Sequence, residues 1–250
     1  MSFELLPAID LRGGRVVRLV EGDFGRETRY ADDPLAVAEG FAAPARPGST
    51  SSTSTPPGTG RGPRRTGRPF ARLVGAVGGR MAVEVGGGIR SAAAAEAWLE
   101  LGVRRVVLGT ALLRDPELGA TLVRRVGSGR VAAALDVREG AAVGEGWRPG
   151  AVAAPVEAIL DRLAGVGIET FVVTAIARDG RLGGPDLDLL GRLVHRRRGR
   201  IVASGGIAGL ADLEAVIRLG CAGAIVGRAL YEGRLDLGAA LALVDRLGRA

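Results

Sequence analysis

The chain has 250 residues, 47% of them hydrophobic, and a formal net charge of +7. This length and composition allow one large core, and no apolar run suggests a signal peptide or a membrane span. All 34 basic residues are scattered arginines, and Lys, Asn and Gln are absent. We attribute the charge to a GC-rich genome and predict neither nucleic acid nor membrane as a partner. The single cysteine, Cys221, excludes an internal disulfide, so we expect a cytoplasmic protein.

Strand patterns alternate with helical patterns along the chain, which predicts βα units around a parallel sheet. The strand candidates are Glu4–Ile9, Ala82–Val85, Arg105–Leu108, Val131–Leu135, Thr170–Thr174, Arg200–Ala203 and Ala222–Val226. Helical patterns between them include Ala92–Leu101, Val156–Ala164, Pro185–His195 and Leu210–Leu219. These seven strands are one short of a closed (β/α)8 barrel.

One glycine-rich motif occurs twice. Gly87 and Gly205 are 118 residues apart, and Gly109 and Gly227 are again 118 residues apart. A duplicated strand–glycine turn–helix–strand unit indicates two fused half-barrels, about residues 1–127 and 128–250, in a single barrel domain.

The repeat places the missing second strand near residue 53, within a low-complexity segment over residues 44–70. Around that position, from Arg46 to Gly58, no apolar residue is available to bury. If Gly48–Gly58 is read one base out of frame with GC-rich codons, it encodes Leu-His-Val-Val-Asp-Leu-Asp-Ala-Ala-Arg, a buried strand with carboxylates. We therefore hypothesise that a compensated frameshift has disrupted strand two. The alternative is a genuine disordered insertion.

The N-terminal segment Leu6–Leu19, followed by Glu21–Phe24, resembles the start of the ribonucleotide isomerases of histidine biosynthesis, the HisA family. Further matches are Val85–Arg90, Ala134–Val137, Gly146-Trp147, Arg178–Gly180, Ser204–Ile207 and Gly227–Gly233. The resemblance covers the chain outside residues 44–70. It implies a TIM barrel that converts a phosphoribosylformimino-aminoimidazole-carboxamide ribotide from aminoaldose to aminoketose, an Amadori rearrangement that uses no cofactor.

Two carboxylates suit this chemistry. An acid must protonate the ribose ring oxygen, and a base must remove the C2 proton. Asp10 and Asp136 each end the first strand of a half-barrel, so they should face each other across the barrel mouth. The resemblance assigns Asp10 as base and Asp136 as acid. The alternative is that each carboxylate only caps the loop that follows it.

The glycine motifs predict two phosphate sites, because backbone N–H groups in such turns can approach an anion. The predicted ligands are Gly86, Gly87, Gly88, Gly109 and Thr110 in the first half, and Gly205, Gly206, Gly227 and Arg228 in the second. The resemblance adds Arg18, Trp147 and Thr174 as substrate-contacting or functional residues. No cluster of residues suggests a metal. We expect a monomer that binds a small substrate with two phosphates.

Three departures from the family pattern bear on activity. Ala175 stands where the family has a carboxylate, Glu145 stands where it tends to have a basic residue, and the strand-two carboxylates are absent as encoded. One alternative function is the dual isomerase that also acts on phosphoribosylanthranilate, whose carboxylate Glu145 would repel. Another is an inactive remnant. The sister cyclase is disfavoured because it typically begins with Cys-Leu-Asp and uses a lysine.

Overall fold

The structure is a computed structural model, and it describes residues 3–20, 23–44, 50–54, 67–147 and 150–247. Its strands are β1 Glu4–Arg12, β2 Arg15–Val20, β3 Asp23–Ala31, β4 Thr50–Ser54, β5 Ala82–Gly86, β6 Arg105–Leu108, β7 Val131–Arg138, β8 Ala141–Val143, β9 Ala153–Pro155, β10 Thr170–Ala175, β11 Arg200–Ser204 and β12 Gly223–Val226. Its helices are α1 Pro34–Ala42, α2 Gly67–Val77, α3 Ala92–Glu100, α4 Thr110–Arg114, α5 Pro116–Val126, α6 Val156–Gly165, α7 Leu187–His195, α8 Leu210–Arg218, α9 Arg228–Tyr231 and α10 Leu237–Leu247.

Eight strands form a ring of parallel pairs. In order around the ring they are β1, β4, β5, β6, β7, β10, β11 and β12, and β12 pairs in turn with β1. At least one helix follows each ring strand before the next ring strand begins. This arrangement is the TIM barrel that the sequence predicted.

The other four strands extend two of the ring strands. β2 and β3 form an antiparallel hairpin that pairs with the end of β1, and β8 and β9 do the same at the end of β7. These two ring strands are the ones that carry Asp10 and Asp136. Each carboxylate therefore lies where a barrel strand passes into a hairpin.

The prediction that strand two is disrupted is wrong for Thr50–Ser54. These residues form β4, whose Thr53 is level with Ile9 on one side and with Val85 on the other. Ladder hydrogen bonds come from backbone groups, which serine and threonine supply as well as valine does. A strand without apolar side chains can therefore still fill the gap between two fixed neighbours. Of the rest of the predicted aberrant segment, residues 67–70 begin α2, and residues 45–49 and 55–66 lie outside the described residues.

Four helices begin directly after a residue whose side chain caps the first turn. Asp33 and Asp115 each accept a hydrogen bond from a backbone N–H in the first turn, and each is followed by proline at the first helical position. Ser91 and Asp186 cap α3 and α7 in the same way. Such caps satisfy N–H groups that have no partner within the helix, so they fix the exit from the preceding loop.

Apolar side chains pack on both sides of the ring. The larger cluster combines outward-facing strand residues, such as Phe171, with apolar residues of the helices. A second cluster contains only strand residues and fills the barrel interior: Leu6, Val107, Ala132, Val172 and Val202. Because side chains alternate along a strand, this cluster identifies which residues of β1, β6, β7, β10 and β11 face inward.

Charged side chains fill the barrel interior at the N-terminal ends of the strands. Arg105, 2% exposed, donates from Nη2 to Glu4 at 2.8 Å and from Nε to Glu84 at 2.9 Å. Arg200 donates to the other oxygen of Glu4 at 2.8 Å, and the Ser52 side chain hydrogen-bonds Glu84. Burial opposes ionisation of Glu4, but the two arginines outweigh it and lower its pKa. We call Glu4, Glu84, Arg105 and Arg200 the N-terminal ion cluster.

Candidate active site

Asp10 and Asp136 face the barrel interior at the C-terminal ends of their strands. Asp10 lies four residues after Leu6 on β1, and Asp136 lies four residues after Ala132 on β7. Leu6 and Ala132 belong to the interior cluster, and residues an even number apart in a strand share a face. The carboxylates therefore point into the mouth of the barrel, the end where TIM-barrel active sites lie.

The two carboxylates also lie on opposite sides of that mouth. β1 and β7 are separated by three ring strands in either direction, namely β4, β5 and β6 on one side and β10, β11 and β12 on the other. Asp10 is level with Ser54 of β4, and Asp136 is level with Thr174 of β10. The structure thus places Asp10 and Asp136 at the same end of the barrel, on opposite strands of the ring.

Asp136 accepts hydrogen bonds from neutral donors. The Trp147 indole donates from Nε1 to Oδ2 at 2.8 Å, and the Thr174 side chain donates as well. Burial raises the pKa of Asp136, and these two hydrogen bonds only partly oppose the effect. A carboxyl group whose pKa is raised is better suited to act as a general acid.

Trp147 reaches Asp136 through a left-handed turn. Glu145, Gly146 and Trp147 have φ angles of 57°, 65° and 65°, and two of the three are not glycine. A non-glycine residue in this region costs about 1–2 kcal/mol, so surrounding contacts must maintain the turn. The Glu145 N–H donates to Thr110 Oγ1 at 2.7 Å, and the Glu145 carboxylate forms an ion pair with Arg114.

Asp10 is half-buried, at the point where β1 begins to pair with β2. Its strand neighbours at that level are Val17 and Ser54. Arg18 follows Val17 on β2 and is level with Thr28 of β3. The Arg18 side chain lies outside the described part of the structure, so its predicted role stays a prediction.

The two copies of the glycine turn adopt the same backbone conformation. Gly87 and Gly88 have φ angles of 94° and 69°, and Gly205 and Gly206 have φ angles of 90° and 86°. Other residues rarely adopt these angles. At Gly206 a side chain would also collide with the carbonyl oxygen of Gly184, which lies 2.2 Å from the ideal Cβ position. The glycines therefore meet a backbone requirement in both halves.

The second element of each copy matches equally well. Gly109 has φ −105° and ψ −99°, and Gly227 has φ −117° and ψ −92°. Each precedes a short helix, α4 or α9, which begins at Thr110 or Arg228. The duplicated sequence is thus a duplicated local structure at the C-terminal ends of β6 and β12.

An open cleft lies over the second of the two glycine pairs, which are Gly87-Gly88 and Gly205-Gly206. It is lined by Gly180, Leu182, Ser204, Gly205, Gly206, Ile207, Ile225, Val226, Gly227 and Arg228. Arg228 donates from Nη1 to the carbonyl oxygen of Gly180 at 2.5 Å and from Nε to Glu232 at 2.5 Å. Its guanidinium therefore holds the loop after β10 against α9, at the edge of the cleft.

Two residues at this mouth, Ser204 and Arg114, were not identified as functional residues from the sequence. Ser204 is level with Thr174 and lines the cleft, and Arg114 holds Glu145. Ser204 begins the family-matching segment Ser204–Ile207 and ends a strand, and these two features could have identified it from the sequence. Arg114 had no such signal, because its partner is 31 residues away. Ala175, the predicted departure after Thr174, is buried.

Within the described ranges, no three His, Cys, Asp or Glu side chains are grouped closely enough to hold a metal ion. The same ranges contain no helix that is long and apolar enough to cross a membrane.

Comparison with known proteins gives several relatives that match most of the chain. Proteins of Roseiflexus sp. strain RS-1 and Deinococcus radiodurans are 42% and 40% identical over 222 and 220 residues, which is 88% of this chain and 90% of each relative. A protein of Listeria monocytogenes serotype 4a is 36% identical over 238 residues, covering 88% of this chain and 89% of the relative. All three are named 1-(5-phosphoribosyl)-5-((5-phosphoribosylamino)methylideneamino) imidazole-4-carboxamide isomerase.

The sequence profile of the family described as "Histidine biosynthesis protein" matches residues 4–46 and 65–236. The match is interrupted over residues 47–64, within the segment that departs from the expected strand-two sequence. Both parts together include Asp10, Asp136 and the two glycine pairs. The chain therefore belongs to the histidine biosynthesis protein family.

Proposed function

We propose that this protein is an isomerase of histidine biosynthesis that converts the aminoaldose form of the phosphoribosylformimino-aminoimidazole-carboxamide ribotide into its aminoketose. The observation that carries the proposal is the pair Asp10 and Asp136, which face one another from opposite strands of the barrel mouth. The names of the relatives, quoted above, give the substrate class.

In this proposal Asp136 is the general acid. Its raised pKa keeps a proton available, and that proton passes to the ribose ring oxygen as the C1–O bond breaks. The lone pair of the nitrogen attached to C1 forms a C=N bond as the ring opens, which gives an iminium ion. Trp147 and Thr174 orient the carboxyl group without adding a positive charge, which would favour loss of its proton.

Asp10 then acts as the base on the opposite face of the substrate. It removes the proton from C2, and the electron pair moves toward the iminium nitrogen to give an enolamine. Tautomerisation of the enol yields the aminoketose. Asp136 donates one proton, Asp10 removes one, and the substrate undergoes no net oxidation, so the proposed reaction needs no redox cofactor.

The two glycine pairs are proposed to bind the two phosphates of the substrate. Their matched conformations supply one backbone N–H cradle in each half of the barrel. The cleft at Gly205–Gly206 and Gly227 supports this assignment in the second half. A substrate held at both ends would span the mouth and pass between the two carboxylates.

We also propose that the protein acts as a monomer in the cytoplasm. Burial raises the pKa of the Cys221 thiol to about 12, so the one cysteine is kept as an unreactive thiol.

The proposal is tested by assaying the purified protein with this ribotide and, in parallel, with phosphoribosylanthranilate. We expect turnover of the first substrate only. Turnover of both would establish the dual isomerase, and turnover of neither by a folded protein would establish the inactive remnant. Crystals soaked in phosphate should show one anion at each glycine pair. A single anion site at saturation would contradict the duplicated phosphate assignment.

A further inference from the structure

Glu145 departs from the family pattern, and its contacts differ from what the sequence suggested. Its carboxylate forms an ion pair with Arg114 of α4, and its backbone N–H donates to the hydroxyl oxygen of Thr110 on the same helix. Gly144 packs against Thr110 as well, since a side chain at residue 144 would lie 3.2 Å from the Thr110 side chain. The turn at 145–147 is therefore held from the α4 side of the barrel mouth.

The far end of the same turn contacts the catalytic acid. Trp147 donates its indole N–H to Asp136, and its carbonyl oxygen accepts a bond from Arg138 at 3.4 Å. Two non-glycine residues with positive φ lie in this turn, a conformation that needs outside contacts to persist. The charged groups that contact the turn in the described structure are Arg114, Arg138 and Asp136.

We propose that Glu145 is a positioning residue: with Arg114 and Thr110 it holds the left-handed turn that places the Trp147 indole on Asp136. The proposal rests on the proposed function in that Asp136 is taken as the general acid. The positioning role can be tested without turnover, because the contact between the Trp147 indole and the Asp136 carboxyl group can be measured in the unliganded protein. Where the family tends to have a basic residue, this chain thus has a carboxylate that binds Arg114 of the protein.

The first experiment uses Trp147 as a fluorescent reporter. The chain has two tryptophans, so Trp98→Phe leaves Trp147 as the only one. Emission of this single-tryptophan protein is recorded as a function of pH. We expect one transition above the ordinary pH range of an aspartate, and we expect Asp136→Asn to remove it. That loss assigns the transition to the Trp147–Asp136 contact.

Arg114→Gln then removes the partner of Glu145 without touching the site. Arg125→Gln is the matched control, because Arg125 also forms an ion pair with a glutamate, Glu96, and the two arginine side chains are 59% and 57% exposed. We expect Arg114→Gln to lower the equilibrium constant for forming the Trp147–Asp136 contact about twofold to fivefold, the range that one exposed ion pair supports, and thereby to reduce the amplitude of the transition. Arg125→Gln should leave the amplitude unchanged.

A double-mutant cycle makes the result specific. Glu145→Gln should reproduce the effect of Arg114→Gln, and the double variant should be no worse than either single variant, because all three lack the same ion pair. Equal amplitudes in Arg114→Gln and Arg125→Gln, or additive effects in the double variant, would overturn the proposal.

Turnover supplies a second readout. For the active enzyme, Arg114→Gln should lower kcat about twofold to fivefold with little change in KM, since neither Arg114 nor Glu145 is among the predicted phosphate ligands. An unchanged kcat together with a reduced transition would overturn the role of the turn in the reaction. If the parent protein has no isomerase activity but the transition responds to Arg114→Gln as expected, the proposed function fails and the positioning of Trp147 by Glu145 stands.

Discussion

The two ends of this barrel both carry buried carboxylates, but the partners of those carboxylates differ. At the N-terminal end, Glu4 receives hydrogen bonds from Arg105 and Arg200, and its pKa is lowered. At the C-terminal end, Asp136 receives hydrogen bonds from Trp147 and a threonine, both neutral, and its pKa is raised. Desolvation acts on both groups in the same direction, so the charge of the partners decides the outcome for Glu4 and Asp136. At Glu84, which is fully buried, desolvation outweighs Arg105 and the pKa is raised.

This difference indicates that carboxylates at the N-terminal end stabilise the fold, whereas those at the C-terminal end suit proton transfer. A carboxylate held between two arginines stays ionised and contributes to folding, whereas a carboxyl group among neutral donors can keep and release a proton. TIM barrels commonly place stabilising residues at the N-terminal end and catalytic residues at the C-terminal end. In this chain the two arginines that bind Glu4 are the first residues of β6 and β11, Arg105 and Arg200. The following predictions test that separation.

The largest effect is expected from removing either carboxyl group at the C-terminal end. Asp136→Asn and Asp10→Asn should each lower kcat by about 10²–10⁴-fold, because each removes a proton-transfer group and keeps its shape. Steady-state kinetics measure the loss, and circular dichroism checks the fold. Asp188→Asn, an exposed carboxylate on α7, is the control and should retain parental turnover. Near-parental kcat in either site variant would contradict the assigned pair.

At the opposite end, Glu4→Gln should cost stability instead of activity. It leaves Arg105 and Arg200 without the carboxylate between them, and breaking a buried pair in this way costs about 3–5 kcal/mol. Chemical denaturation measures the loss, with Glu39→Gln on the exposed face of α1 as a control expected within about 0.5 kcal/mol of the parent.

The pH dependence of the Glu4→Gln effect has a fixed sign. The folded-state pKa of Glu4 is below its ordinary value of 4.5, so its contribution is present above that pH and is lost as the pH falls through the folded value. The difference in stability between parent and variant should therefore shrink in acid. A constant difference at all pH values would show that the charge of Glu4 is not its source.

β4 links the two ends, since Ser52 contacts Glu84 at the N-terminal end and Ser54 is level with Asp10 at the C-terminal end. Replacing Gly48–Gly58 by Leu-His-Val-Val-Asp-Leu-Asp-Ala-Ala-Arg, with the rest of the restored frame, should stabilise the barrel by several kcal/mol. In a chain of this size each kcal/mol raises the melting temperature by about 2–4 °C. Turnover should rise too.

Two outcomes would contradict the frameshift hypothesis behind this replacement. The encoded chain could prove as stable and as active as the restored one, in which case the segment is a tolerated insertion. Alternatively, sequencing of the locus could reveal AGY serine codons or A-rich codons in this segment, which the out-of-frame reading does not allow.

The smallest effect is expected from two threonines at the two ends of β10. Thr174→Val removes a hydrogen bond that lowers the pKa of Asp136, so that pKa should rise further. The protonated acid then persists to higher pH, and the alkaline limb of kcat/KM should move upward by about one pH unit or less. Thr170→Val, buried at the other end of the same strand, should leave that limb in place. A shift in both variants would show a general effect of the strand.

Sequence patterns alone predicted most of the barrel. All seven predicted strands occur as ring strands, and each begins within one residue of its predicted start. The reason is that strands buried on both faces need short apolar runs, which stand out between helical patterns and glycine turns. The matching strand endings Ala8-Ile9-Asp10 and Ala134-Leu135-Asp136 also indicated that the two aspartates hold equivalent places in the two halves, and a ring of eight strands puts such places opposite each other.

The tertiary structure decided what no local pattern contains. β4 exists because β1 and β5 offer backbone partners on both sides, although its own sequence has no apolar residue. The N-terminal ion cluster joins Glu4 to Arg105 across 101 residues of sequence, and the turn at Glu145 depends on Thr110 and Arg114 of another strand–helix unit. Propensity and periodicity report the preferences of one segment, whereas partner charge, desolvation and ladder hydrogen bonds arise only when distant segments meet.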